Sequence, residues 1–436
     1  MQTQPPRMAA ALVPRELANW SLTAVALGAL EGGLLGVIVK NQFADVASPA
    51  AVNIAVAIVA AAPSFTNLAS FLFVAMSAGR DKLVLLSRLM AVMGVCLVIM
   101  ALSGINAAGL AVFCVTTVVA RTAWSGILTI RAAVWRANFT REWRGQVTAR
   151  IVQVSSLLVA ASSALIGFLL DWGENAFRLA FILAAACAFF AARVNRKARV
   201  RRHRQLLAAE LAEQAAQGRR LSMSALTAVL RKDMDFRRYM IGMMILGSGN
   251  LMLLPMLVIL LNEQLHLSQL HQVMVTSSLP LLVLCFFVSY WARMLDRNHI
   301  FRFRAVQSWF YFGAEAFFAL ALISGRTEFL WPASVMQGIA YAGGHLGWNL
   351  GHNDFSSDAT AGHYMAIHVS LTGLRGLVMP LISVGFYQYL ASWSPGHVAW
   401  ALMLPLSLTL AGCVLFVVLH LERARRPEGG RTRAQD

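Results

Sequence analysis

An ionisable side chain inside an apolar stretch has to be paired, hydrated or used, because hydrocarbon solvates it poorly. This chain has few such groups. Glu31 and Arg121 each interrupt a long apolar run. A carboxylate so placed is able to carry a proton or touch a solute, and a guanidinium to anchor a carboxylate or phosphate. The two can equally form a buried structural ion pair, which alone says little about function. Arg375 and Glu315 stand deep in two later runs. Arg375 lies between Gly373 and Gly376 and ahead of Pro380, a composition that permits close helix approach and bending. Gln337, Tyr341, His345 and Asn349 recur at steps of four and so line one helix face. That face offers hydrogen bonds to a polar solute or to a packed neighbouring helix.

A second grouping is His345, His352, His363 and His368 with Asp354 and Asp358, all in one short region. Imidazole and carboxylate together suit iron, zinc or manganese. His345 and His352 are seven apart and are expected on one helix face at different depths. No HxxxH pair compacts the set, and the acidic segment 352–363 alternatively bonds to basic loops of the other half of the chain. Bond-making chemistry has no comparable signal: there is no GxSxG elbow, no HExxH and no phosphate-binding loop. Neither enzymatic activity nor a resident cofactor is expected. Cys96, Cys114, Cys187, Cys285 and Cys413 lie inside apolar runs without CxxC spacing, which argues against disulfides and a thiolate metal site.

The elements that must position these groups are membrane helices. Apolar residues make up 58% of the 436, charged ones 13%, and the mean hydropathy is +0.62, too apolar for a soluble globule of this size. Runs near the about 20 residues needed to cross a bilayer cover 20–39, 51–76, 83–103, 110–130, 151–170 and 177–192, then 239–261, 273–292, 305–324, 329–350, 364–390 and 398–421. Their apolarity is continuous rather than alternating, so helices are expected and a barrel is not. The fold class read from this is an all-α polytopic membrane protein with about twelve transmembrane helices. A polar break at 194–238 separates a six-helix unit at 1–193 from another at 239–421, and 422–436 is a basic tail. Within the break, 205–217 is rich in Ala, Leu, Glu and Gln, which favours a helix along the membrane face.

Cations cluster at alternate joints: Arg80, Lys82 and Arg88; Arg136, Arg141, Arg144 and Arg150; Arg293, Arg297, Arg302 and Arg304. The intervening joints carry only Lys40, Arg178 and Arg326. Positive loops stay in the cytoplasm, so both termini are expected there. The net charge of +17 lies beside membrane helices without a nucleic-acid-binding module, which makes anionic lipid headgroups the expected partner and nucleic acid not one.

The two units repeat each other. Gly28, Glu31, Leu34, Leu35 and Val39 fall opposite Gly247, Asn250, Leu253, Leu254 and Val258, an offset of 247 − 28 = 219. Asp81-Lys82 falls opposite Asp296-Arg297, 296 − 81 = 215, and Gly145, Ala149, Val152 and Leu157 opposite Gly362, Ala366, Val369 and Leu374, 362 − 145 = 217. Three matches at nearly one offset imply a parallel repeat. With its basic Asp-Lys and Asp-Arg loops after the second and eighth spans, the chain resembles the major facilitator superfamily along nearly its whole length. The segments 364–369 and 373–377 resemble a bacterial branch of that superfamily.

The resemblance implies two pseudo-symmetric six-helix bundles, a bacterial inner membrane location, a functional monomer and alternating access to a small solute or ion near the midplane. It places the helices of Glu31 and Arg121 on the central cavity, gives the span of Arg375 a border on it and makes Glu315 a brace. It also makes Asp81, Lys82, Asp296 and Arg297 gating-loop residues. Asn250, the repeat mate of Glu31, is then a neutral amide across the cavity. Proton coupling through Glu31, a metal permease using the His/Asp group, and a non-transporting sensor or scaffold of the same fold are the readings that remain open.

Overall fold

A computed structural model describes residues 7–139, 141–173, 175–216, 229–356 and 360–426; Asp358 lies outside them. Among the described residues the chain makes twelve helical passes. Span one is Arg7–Gly28 continued by Gly32–Gln42, span two Pro49–Phe65 continued through Thr66–Ala69 into Ser70–Ser77, span three Lys82–Leu102, span four Ala107–Asn138, span five Arg141–Trp172 and span six Ala176–Arg196. Span seven is Met234–Glu263, span eight Gln269–Val273 continued through Met274–Ser278 into Leu279–Arg297, and span nine Ile300–Ser324. Span ten is Leu330–Leu350, span eleven Ala361–Trp393, and span twelve Pro395–Leu402 continued as Met403–Arg425. Side-chain caps start several of them: Asp81 accepts from Leu83 and Val84, Asn106 from Gly109 and Asp233 from Phe236. Eleven passes are long and apolar enough to cross a membrane by length and composition. Span ten, at 21 residues, is the exception, because the polar face at Gln337, His345 and Asn349 dilutes it.

Packing repeats between halves. In the first, span one packs on two, five and six, and span three on four and six; in the second, span seven packs on eleven and twelve, and span nine on ten and twelve. Spans two and eleven, and five and eight, join the halves. Gly373 and Gly376 make the first of these joints possible, because a Cβ on either would overlap Leu68 or Ser64 of span two. Span eleven runs as one helix through Pro380, so the expected bend does not break it.

Span one departs from the single helix expected over 20–39. It breaks at Ala29–Glu31, where Leu30 N donates to Leu27 O and Glu31 N to Gly28 O in tight turns, and Ser163 Oγ donates to Gly28 O at 2.9 Å. The Gly32-Gly33 pair that follows costs helix stability, and the serine replaces a lost backbone bond. Of the segment 205–217, residues 205–216 are helical as expected, within His203–Ala216, and 217 lies outside the described residues; the helix docks by its Glu210 onto Lys82 Nζ at 2.7 Å and Gly79 N at 3.0 Å.

The two ends of the molecule differ. On the side away from the termini, Gly32–Lys40 of span one and Pro255–Leu261 of span seven are buried all round. One apolar cluster there draws Val37, Ile38 and Phe113 from the first half together with Leu257, Leu260 and Phe318 from the second. On the terminus side the clusters stay within halves: Phe236, Tyr239, Trp291 and Phe416 in the second, Leu86, Met90 and Ile127 in the first.

Candidate solute site

The break in span one presents Glu31 at the start of the half-helix Gly32–Gln42, where backbone N–H groups and the helix dipole favour negative charge. Arg121 of span four faces it, with Nη2 3.6 Å from Glu31 Oε2. The guanidinium is buried and the carboxylate partly exposed, with 22% of its side chain accessible. The pair is close but not hydrogen-bonded, and Arg121 Nε has no acceptor. Both groups therefore keep hydrogen-bonding capacity for a third one.

Across the gap between halves, Gln337 Nε2 of span ten donates to Asn250 Oδ1 of span seven at 3.3 Å, and Gln337 Oε1 is unpartnered. Tyr341, one turn on, stands edge-on to Tyr311 at 6.2 Å. The span-ten stripe opens toward the terminus side: Gln337 is 3% exposed, Tyr341 half-buried, and His345 and Asn349 exposed. Span four opens the same way, from buried Thr117 and Arg121 to exposed Leu128. Among the described residues the polar groups of both halves thus grow more exposed toward the termini, and they offer hydrogen bonds and charge to a polar or charged solute.

The other expected residues are placed as follows. Glu315 is buried and accepts from Thr409 Oγ1 of span twelve at 2.8 Å, a brace between spans nine and twelve. Asp81 caps span three and lies 3.6 Å from His203, whereas Asp296 and Arg297 are exposed. The His/Asp group does not converge. Span ten ends at Leu350 and a tighter helical turn carries His352, so His345 and His352 do not share one helix face: one is exposed, the other buried. Asp354 accepts from Ile300 N at 2.6 Å, a bond within its own half rather than to the loops of the other. His368 packs against Tyr239 and Trp348, and His363 sits at the start of span eleven. Among the described residues no three His, Cys, Asp or Glu side chains are placed to hold a metal ion.

Two features escaped the sequence. Lys40, expected as an isolated cation, pairs with Glu263 of span seven and donates to Asn53 at 2.7 Å, while Tyr387 donates to Glu263. Asn262 donates to Asn41 at 2.7 Å and Gln388 to Ala50 O at 2.9 Å, completing a polar seal between the halves on the far side. Arg304, expected in a loop, is buried in the first turn of span nine. Its signal was legible: Arg304, Gln307, Ser308, Tyr311 and Glu315 share one helix face.

Comparison with solved structures decides the architecture. A D-xylose–proton symporter superposes with a TM-score of 0.71 at 13% identity, covering 98% of this chain and 99% of the other. The nucleoside transporter NupG gives 0.59 at 11%, covering 95% and 99%. The chain has the major facilitator fold. A bacterial homologue of the human lysosomal transporter Spinster, in an inward-facing conformation, matches that fold at 0.61 and 11% identity, over 95% of this chain and 96% of the other. No protein-family model and no curated protein matches the sequence. At these identities the superpositions carry the major facilitator fold alone, and residue roles rest on the geometry above.

Proposed function

We propose that the protein is a secondary transporter that moves a small polar or ionised solute by alternating access. The carrying observation is the polar set Glu31, Arg121, Asn250, Gln337 and Tyr341, with bonds between the halves on one side of it and increasing exposure on the other. A site enclosed by two packed repeats and exposed on one side at a time is what a carrier requires, whereas a channel needs a continuous path. The similar folds of a D-xylose–proton symporter and a nucleoside transporter support this reading. The Lys and Arg distribution supports a cytoplasmic terminus side, which makes this an inward-open state. Arg88, Arg193, Arg196 and Lys197 line one groove at that end and suit anionic lipid headgroups.

Glu31 is the proposed proton carrier and Arg121 its counter-charge and solute contact. The test is uptake of sugars, nucleosides and organic acids into proteoliposomes, with and without an imposed pH gradient. At least one solute is expected to accumulate with the gradient, and Glu31→Gln is expected to lower that accumulation at least tenfold. Accumulation unchanged in Glu31→Gln removes the proton role. Binding without flux for every solute favours the sensor reading.

A further inference from the structure

Two guanidiniums are buried in the second half without a carboxylate partner among the described residues. Arg304 is 2% exposed and Arg375 5%. Each occupies a glycine seat on a neighbouring helix: a Cβ on Gly347 of span ten would overlap Arg304, and one on Gly247 of span seven would overlap Arg375. Their hydrogen bonds are incomplete. Arg304 Nη1 donates to Gln307 Oε1 at 2.9 Å and Arg375 Nη1 to Met243 O, but Arg304 Nε and Nη2 and Arg375 Nε find no acceptor. Among the described residues neither has an ion-pair partner, and both lie by the same stretch of span seven: Arg375 bonds Met243 O, and Gly347, whose seat Arg304 fills, accepts through its carbonyl from Tyr239, one turn before Met243. Buried His368, with both ring nitrogens unpartnered, lies within the field of both. The hydroxyls of Tyr239 and Tyr311 are also close to Arg304.

The first half shows how this fold treats a buried guanidinium that serves structure. Arg131 has Glu16 at 3.0 Å, Asn195 Oδ1 at 3.2 Å and the face of Trp20 at 5.1 Å. Nor does the repeat require a charge where Arg375 stands, since its mate is Leu158, 375 − 217 = 158. Two buried like charges, each with idle donors and no carboxylate among the described residues, cost free energy that a bound anion offsets.

We propose that Arg304 and Arg375 form an oxyanion site inside the second bundle, taking the carboxylate or phosphate group of the transported solute. This rests on the transport reading and gives it a substrate class, small oxyanions. The planar forks supply paired N–H donors to two or three oxygens, with the Tyr311 hydroxyl as a further donor; the hydroxyl of Tyr239 already donates to Gly347 O at 3.2 Å.

The experiment is thermal unfolding of the full chain in detergent at fixed ionic strength, titrated with inorganic phosphate and, separately, succinate, each against chloride. A bound anion raises Tm with concentration. We expect a saturable rise of several degrees with one of the two, which also separates phosphate from carboxylate recognition. It should vanish in Arg304→Met and Arg375→Met, which in chloride unfold no lower than the wild type because an unpaired buried charge is gone. Gly247→Ala and Gly347→Ala keep every charge but displace a guanidinium. They should raise the anion midpoint at least tenfold, and they decide the matter if the methionine variants do not fold. No rise beyond chloride, or a rise that survives these substitutions, overturns the site. The readout needs no flux: anion binding without transport would sink the transport reading and keep the site, and transport of neutral solutes without anion binding would do the reverse.

Discussion

The arginines of the spans fall into three environments, and the differences sort their roles. Arg131 is held by Glu16, which also accepts from Trp135 Nε1 at 3.0 Å, and Asn195 ties the network to Ser87 and Leu83 O. Its charge is met by a carboxylate, and only Nε lacks an acceptor. Arg121 meets Glu31 without a hydrogen bond, and Arg304 and Arg375 meet no carboxylate among the described residues. Truncating one member of a closed buried pair strands the other charge. Arg131→Met should therefore destabilise by about 3–5 kcal/mol, whereas Arg131→Met combined with Glu16→Gln should recover much of that. Denaturation of the single and double variants measures it; a single variant as stable as the double would show that Glu16 is already neutral.

At the scale of elements, helix ends carry the pH dependence. His299 caps span nine by accepting Phe301 N on Nδ1 at 3.3 Å, a role only an unprotonated ring can fill. Burial, then the charge of Arg423, pushes its pKa down to about 3, against attraction from Asp235, while Asp354 Oδ2 lies 4.0 Å from Nε2. A folded pKa below the unfolded one contributes stability that is complete above pH 6.5 and is lost as pH falls toward 3. From pH 7 to 5 this histidine alone removes about 2 kcal/mol. His352 is lowered by burial with the same sign, and Asp354, raised by burial, acts oppositely only nearer the carboxylate range. Tm should fall between pH 7 and 5, and less steeply in His299→Gln. Equal slopes would place the titration elsewhere.

At the scale of the molecule, the far-side seal is the latch that holds the two halves in this conformation. Lys40 is nearly buried and Glu263 one-third exposed, so the pair is discounted for solvent, and Lys40→Met should weaken the latch by about 1–2 kcal/mol. A cysteine placed at Asn262 should then react about tenfold faster with an impermeant thiol reagent added from the far side, since about 1.4 kcal/mol is a factor of ten. An unchanged rate would move the latch to the apolar cluster beneath it.

Apolar run length and hydrophobic continuity, being local properties, determined the helices, their number and the parallel repeat from sequence alone. The same holds for Glu31, Arg121, Asn250 and Gln337 as polar groups within the membrane, because each stands out against its own span. The break in span one was only latent in Glu31-Gly32-Gly33, since a glycine pair ends a helix only where a neighbour such as Ser163 accommodates the freed carbonyl. Tertiary structure alone decided which charges are paired. Lys40 meets Glu263 and Arg131 meets Glu16 across separations of more than a hundred residues, and Arg304 and Arg375 meet no carboxylate among the described residues. Pairing depends on which helices pack side by side and at what depth, a non-local outcome that no window of the sequence contains.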